Sequence, residues 1–210
     1  AYAQTTDHNS GKTDAILKRP DTDPLVIHTQ TATEYWQRRG SLVHTDTQGN
    51  DVAEPEGVRI FHWSSTQHSA DPRQEKPRKA NTEHYLNVTR TSMLFRAMTD
   101  ALDKWATDGA APPPSRYPKV SDGTLVPYET WAGQFPAIPR TAIPQEPNQL
   151  PFMDFGPDEA SGVLAQEPPN VIAEHGYTIL VPAVDADGND IAGVRCPMVQ
   201  APLGTYAGWN

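Results

Sequence analysis

The sequence predicts an α/β fold over the first half of the chain, followed by an irregular, proline-rich second half. Two short β-rich runs, residues 24–28 and 58–63, and one long amphipathic segment, residues 92–108, support the first half. Prolines concentrate after residue 110 and favour turns and extended loops over regular elements. We therefore expect a sheet-and-helix part over residues 1–110 and a proline-rich extension over residues 111–210.

The two runs have the character of strands. Residues 24–28, Pro-Leu-Val-Ile-His, form a short apolar, β-branched stretch after a proline, which is typical of a buried strand. Thr33 is a good N-cap residue, so we expect a turn or the start of a helix close to it. Residues 58–63, Val-Arg-Ile-Phe-His-Trp, alternate in polarity and predict a second strand, and residues 64–70 form the loop that leaves it.

Residues 92–108 carry an apolar stripe at helical spacing. Gly109 is placed to end the helix in the left-handed conformation, and the prolines at 112–114 prevent its continuation. We expect the stripe to pack against the sheet. Its members are Leu94, Met98, Ala101, Leu102 and Trp105.

The second half has fewer signals. Residues 124–126 favour a short strand, and residues 177–184 and 190–194 flank an Asp-Ala-Asp-Gly-Asn turn, which predicts a β-hairpin. Residues 202–210, which we call the tail, contain two glycines and two aromatic residues. This composition predicts a docked loop rather than a helix.

Composition excludes several classes of protein. The net charge of −9 disfavours nucleic-acid binding, and the one cationic cluster, residues 73–79, is interrupted by Glu75 and Pro77 and is typical of a solvated loop. A single cysteine, Cys196, cannot form an internal disulfide and is interpreted as structural. No apolar run approaches the roughly 20 residues that a membrane span requires.

A carboxylate follows the first predicted strand and a histidine follows the second. If the strands are parallel neighbours, Glu34 and His68 emerge at the same edge of the sheet, where open α/β sheets place their sites. A carboxylate hydrogen-bonded to one imidazole nitrogen leaves the other free to deprotonate a nucleophile. Asp46 and Asp51 are alternative acids, and His62, inside the strand, is more typical of a core histidine. By spacing alone, Glu34 and His68 also fit ordinary polar residues of a non-catalytic module.

Nothing in the sequence points to a metal site. His44, His84 and His175 lack metal-ligand spacing with one another. Residues 185–190 resemble the start of a calcium loop, but glycine is absent from its sixth position and Cys196 stands at its twelfth. A hairpin turn explains that segment better.

The serine that such a pair would serve is missing. The Gly-x-Ser-x-Gly nucleophile elbow does not occur in the chain. Ser41 follows Gly40 but lacks the final glycine, and Ser10 lies in a polar stretch with no strand before it. The nucleophile is therefore expected upstream of Ala1, unless the chain is not a hydrolase.

An ordered series of motifs resembles a family of large, mostly bacterial α/β-hydrolase-domain proteins. The tail, Pro-Leu-Gly-Thr-Tyr-Ala-Gly-Trp-Asn, is the most distinctive of them. The other matching stretches are residues 13–14, 33–36, 41–46, 58–61, 66–68, 112–115, 122–125 and 181–189, with Trp105 and Gly109.

The resemblance implies that the chain is the C-terminal part of a serine-type α/β-hydrolase fold acting on carboxylic esters. On that mapping Glu34 is the acid and His68 the base of a Ser-Glu-His triad, and no cofactor is implied. The missing elbow implies that this chain alone is inactive. Relatives of this kind are often exported, which favours a secreted or periplasmic protein. The alternatives are a non-catalytic binding or structural module and a degenerate hydrolase scaffold.

Overall fold

A computed structural model describes residues 1–68 and 76–210 of the chain. Residues 73–75 of the predicted cationic loop, and the end of the loop predicted over residues 64–70, lie outside the described residues. The strands are β1 (Thr5–Thr6), β2 (Thr13–Asp14), β3 (Val26–Thr31), β4 (Val58–Trp63), β5 (Leu125–Pro127), β6 (Met153–Asp154), β7 (Asn170–Val171) and β8 (Leu180–Pro182). The helices are α1 (Ala32–Arg38), α2 (Ser92–Asp108), α3 (Tyr128–Gln134) and α4 (Pro197–Gln200), with 3₁₀ turns at Gly40–Val43 and Glu159–Ser161.

The parallel pair β3–β4 is the centre of the fold. Six residue pairs hold it in register, from Val26 opposite Val58 to Thr31 opposite Trp63. The prediction for β4 is confirmed in both bounds. The first strand was predicted over residues 24–28, but β3 begins two residues later and continues through Thr29–Thr31, because the ladder to β4 holds these polar residues in the strand.

The two edges of this pair differ. Beyond β4, the backbones of Arg116 and Val194 continue the sheet, through bonds such as Arg116 N–H to Ile60 O (2.9 Å) and Val194 N–H to His62 O (2.7 Å). Among the described residues, no strand pairs with the other edge of β3. The sheet therefore has one capped side and one open side.

The helix α2 has the predicted bounds, and Gly109 ends it with a φ of 69°. Its apolar stripe faces the protein but is only partly buried, and α2 contains no buried residue. Contacts with β4 are made by Phe95, whose ring lies 5.8 Å from that of Trp63, and by Trp105 beneath the guanidinium of Arg59. The stripe therefore packs against the sheet as expected, although its residues stay only partly buried. None of the helices among the described residues has the length and apolar character that crossing a bilayer requires.

Residues 185–189 form the predicted turn, closed by Asp185 N–H to Asn189 O (2.8 Å). The hairpin beyond it is limited to one bridge, between Val184 and Asp190. Instead, β8 pairs antiparallel with β5. The physical reason is burial: Leu180 and Val181 meet Leu125 and Val126, all of which are buried.

The main hydrophobic cluster draws on both halves of the chain. Trp36 of α1 packs against Trp131 of α3 with ring centroids 4.6 Å apart, and Trp209 of the tail lies 6.2 Å from Trp131. Val126 and Val181 complete the buried layer beneath them. Helix α1, which carries Glu34, therefore rests on residues contributed by the second half.

A buried chain of polar side chains also includes Tyr35 of α1. Gln30 Nε2 donates to the Tyr35 hydroxyl (2.7 Å), which lies 2.8 Å from His44 Nε2. Burial lowers the pKa of His44 to about 3, so the imidazole is neutral and accepts from Tyr35. His44 Nδ1 has no hydrogen-bond partner among the described residues. Protonation of His44 would therefore place an unpaired charge in the core.

We expect the protein to become less stable as the pH falls below 6.5, the ordinary pKa of histidine. Because the folded pKa of His44 is the lower one, its contribution is complete above pH 6.5 and is lost as the pH falls towards 3. Acidification to about pH 5 should cost roughly 2 kcal/mol through this residue. Urea unfolding at pH 7, 6 and 5 measures the slope. His44→Gln should reduce it, whereas Tyr35→Phe should lower stability but keep the slope; a full slope in His44→Gln would contradict the prediction.

Candidate active site

Glu34 is placed by the first turn of α1. The strand β3 ends at Thr31, which is also the N-cap of α1, and Glu34 is the third residue of the helix. Its Oε2 accepts hydrogen bonds from the Thr31 backbone N–H (2.6 Å) and the Thr31 hydroxyl (2.5 Å). This is a capping box, in which the acid at the third position reaches back to the N-cap. One carboxylate oxygen is thereby fixed, and the other points away from the helix start.

His68 lies on the described part of the loop after β4, residues 64–68, which we call the base loop. Several bonds fix the start of this loop: Ser65 N–H donates to Asp190 Oδ2 (2.6 Å), Asp190 N–H donates to the Ser65 hydroxyl (2.7 Å), and the Thr66 hydroxyl donates to Trp63 O (2.7 Å). Asp190 is buried and also contacts His62 Nε2 at 2.9 Å. Ser65 has a φ of 56°, a left-handed conformation that non-glycine residues rarely adopt without such support.

The structure brings Glu34 and His68 together. Glu34 Oε1 and His68 Nδ1 form a short hydrogen bond, and the His68 backbone N–H donates to the Thr33 hydroxyl (3.1 Å). The carboxylate oxygens are therefore divided between the two partners, with Oε2 on Thr31 and Oε1 on His68. This division follows from the parallel register, which places Thr31 opposite Trp63 at the end of both strands.

The two side chains differ in exposure. The Glu34 side chain is 18% exposed, whereas the His68 side chain is 66% exposed and its Nε2 has no hydrogen-bond partner among the described residues. Burial opposes ionisation of Glu34, but hydrogen bonds from Thr31 and His68 outweigh it, and the pKa of the carboxyl is lowered. An ionised Glu34 accepts a hydrogen bond from the Nδ1–H of His68, and Nε2 is then the nitrogen that carries no proton.

An open groove of about 470 Å³ runs beside the pair. Four consecutive residues of β3, from His28 to Thr31, line it together with Glu34 and His68. Because alternate side chains of a strand point to opposite faces, consecutive lining residues show that the groove follows the open edge of β3. None of the described residues that line it is a serine or a cysteine.

The alternative acids are engaged elsewhere. Asp46 accepts from Gln48 N–H and Asn50 N–H (both 2.9 Å) within its own turn. Asp51 accepts from the backbone N–H groups of Val120 (3.0 Å) and Ser121 (2.8 Å). Neither contacts His68, so Glu34 is the acid that the geometry favours.

The other four histidines considered in the sequence analysis have structural partners. His62 is fully buried and hydrogen-bonded to Asp190, and His44 is hydrogen-bonded to Tyr35. His84 Nε2 lies 2.8 Å from Ala142 O. His175 packs edge-on against the Phe152 ring. Across residues 1–68 and 76–210, no group of three His, Cys, Asp or Glu side chains is arranged to hold a metal ion.

Sequence reasoning missed Thr31 and Asp190. Thr31 had a usable signal, because Thr-x-x-Glu before a helix is the capping-box pattern. Asp190 had none. It lies far from residue 65 in the sequence and was interpreted only as part of a turn.

Thr31→Val should remove one hydrogen bond to Glu34 while keeping side-chain volume. We expect a loss of about 1 kcal/mol of unfolding free energy at pH 7 and a raised Glu34 pKa. Because the folded pKa of Glu34 lies below its ordinary value of 4.5, the loss should be present above that pH and shrink as the carboxyl is protonated. Urea unfolding at pH 7 and pH 3 measures both. Thr99→Val, which removes a hydroxyl bonded to Phe95 O within α2, is the matched control and should show no such pH dependence.

Comparison with known proteins shows a family relationship. A family model described as an alpha/beta hydrolase domain matches residues 2–210. Searches of curated proteins and of solved structures each give no match to the chain.

Proposed function

This chain belongs to the alpha/beta hydrolase domain family, and on that premise we propose that it supplies the acid and base of a serine hydrolase acting on carboxylic esters. The observation that carries the proposal is the hydrogen bond from His68 Nδ1 to Glu34, at the carboxyl end of the β3–β4 pair. Buried carboxylates also bind histidines for structural reasons, as Asp190 binds His62. The His68 side chain is 66% exposed and its Nε2 has no hydrogen-bond partner among the described residues, which distinguishes this pair.

In the proposed reaction, a serine Oγ attacks the ester carbonyl while His68 Nε2 accepts its proton. Glu34 keeps the Nδ1 proton in place and stabilises the imidazolium that forms. His68 then passes the proton to the departing alkoxide, which leaves as an alcohol. Water, deprotonated in turn by His68, hydrolyses the acyl-enzyme. This chemistry requires no metal or organic cofactor.

The serine is proposed to lie on a segment upstream of residue 1. The absence of serine and cysteine from the described lining of the groove supports this location, because the nucleophile must lie within hydrogen-bond reach of His68. The open edge of β3 supports it further, since an unpaired edge strand is a ready site for another strand. Residues 1–210 are then the C-terminal part of the fold, and this part alone is inactive.

The division into residues 1–110 and 111–210 remains a proposal. In it, the first segment carries the last core strands with the acid and base loops, and the second is a proline-rich extension that wraps them. The capping of β4 by Ser115 and Arg116 supports the wrapping. The shared cluster of Trp36, Trp131 and Trp209 indicates that the extension is required for α1 to hold its position.

In a gene product that includes the upstream region, Glu34→Gln should reduce kcat for a p-nitrophenyl ester about 10⁴-fold, and His68→Gln should reduce it at least as much. His68→Gln removes the nitrogen that accepts the serine proton, and Glu34→Gln removes the carboxylate that stabilises the resulting imidazolium. His175→Gln, a histidine outside the groove, is the matched control and should keep full activity. Undiminished activity in Glu34→Gln would sink the assignment of the acid.

A fluorophosphonate probe should label that longer protein on an upstream serine and should leave residues 1–210 unlabelled. Absence of labelling in the longer protein would favour a degenerate scaffold or a binding module. Labelling within residues 1–210 would refute the upstream location of the nucleophile.

The open edge can be tested by amide hydrogen exchange. Addition of the upstream region should slow exchange of the β3 amides that β4 does not engage, because a neighbouring strand protects them. Amides of β4 are already bonded on both sides and serve as the internal control. Unchanged exchange throughout β3 would contradict the pairing.

A further inference from the structure

The tail, residues 202–210, reaches the acid helix at a point of very close approach. A Cβ on Gly208 would lie 2.5 Å from Ala32 Cβ and 2.6 Å from Thr33 N, so only glycine fits there. Gly208 O accepts from the Thr33 hydroxyl (2.7 Å), and the same hydroxyl accepts from the His68 backbone N–H (3.1 Å). Thr33 therefore joins the tail, the acid helix and the base in one chain of hydrogen bonds.

A second connection runs through Gln67, the residue before the base. Gln67 Nε2 donates to Asn210 O and Gln67 Oε1 accepts from Asn87 N–H, both at 3.1 Å. Asn87 Nδ2 donates to Ser65 O (2.6 Å) and to Ala207 O (3.1 Å). The base loop is thus tied to the tail directly and again through Asn87.

The tail is itself held firmly at this point. Asn210 Oδ1 accepts from His84 N–H (2.8 Å), and Asn210 Nδ2 donates to Tyr85 O (3.0 Å). Trp209 packs in the aromatic cluster with Trp131. Because these contacts hold the tail in place, the tail can in turn hold the base loop that it contacts.

The exposed imidazole of His68 has few contacts of its own that could hold it in place. The His68 side chain is 66% exposed, and its hydrogen bond to Glu34 is the only one it makes among the described residues. Its orientation accordingly depends on where the backbone of residues 67 and 68 is held. Small displacements of such a group are costly, because catalytic geometry tolerates errors of only about 0.5 Å.

We propose that Gln67 and tail residues 207–210 are positioning residues that hold the His68 imidazole against the Glu34 carboxylate. The catalytic meaning of this role rests on the function proposed above. The mechanical role concerns only the hydrogen bond between the two side chains and can be measured without turnover.

The test is an NMR measurement of the His68 Nδ1 proton in the full chain, well below the unfolding temperature. In the unmodified protein this proton should appear at low field and vanish from that position in Glu34→Gln. In Gln67→Met, which keeps the length of the side chain, and in Asn210→Ala, it should exchange with water about tenfold faster or be lost, as expected for the loss of one or two net hydrogen bonds.

Thr205→Val is the matched control. It removes a hydroxyl that bonds the tail to Asp187 O (2.5 Å), away from the base loop, so the Nδ1 proton should be unchanged. An unchanged signal in both Gln67→Met and Asn210→Ala would overturn the positioning role and leave the proposed function standing. Equal loss in Thr205→Val would also overturn it, because the effect would then be general loosening. If the unmodified protein shows no low-field proton for His68, both proposals fail.

Discussion

The in-register parallel pairing of β3 with β4 is the constraint on which the rest of the structure depends. Because both strands run in the same direction, their carboxyl ends coincide, and Thr31 lies opposite Trp63. The chain leaves β3 directly into α1 and leaves β4 directly into the base loop, so the first helical turn faces the loop. A shift of one residue would turn every side chain of one strand to the other face and separate Glu34 from His68.

The pairing alone would not hold these groups, since a two-stranded sheet is marginally stable without further packing. The second half of the chain supplies it. Arg116 and Val194 continue the sheet beyond β4, while Trp131 and Trp209 support the buried face of α1. The proline-rich composition is compatible with this role, because an irregular segment can follow the surface of the core and pair with it only where an edge is available. The open side of β3 has no such cover among the described residues, and it is the side on which the groove lies.

Three histidines in one small region show how environment decides chemistry. His44 is buried on a hydroxyl and is neutral, with a pKa lowered to about 3. His62 is fully buried and is paired with the buried carboxylate of Asp190, where it fixes the base loop. His68 is largely exposed, with a partly buried carboxylate on Nδ1 and no partner on Nε2 among the described residues. Of the three, only this arrangement combines an exposed imidazole with a carboxylate partner, and residue type alone does not distinguish it from the other two.

The sequence by itself determined β4 and α2 and pointed to the two residues of the candidate site. The alternation of residues 58–63 and the apolar stripe of residues 92–108 are local patterns, and β4 and α2 have the bounds that they predict. The tertiary structure decided the contacts between distant residues. These are the pairing of β8 with β5, the hydrogen bonds between Asp190 and Ser65, and the close contact of Gly208 with Thr33. These depend on burial and on close approach of backbones, which leave no periodic signal in one sequence. The Glu34–His68 hydrogen bond depends on both the sequence and the tertiary structure. Spacing along the chain suggested the pair, and only the parallel register could bring the two side chains together.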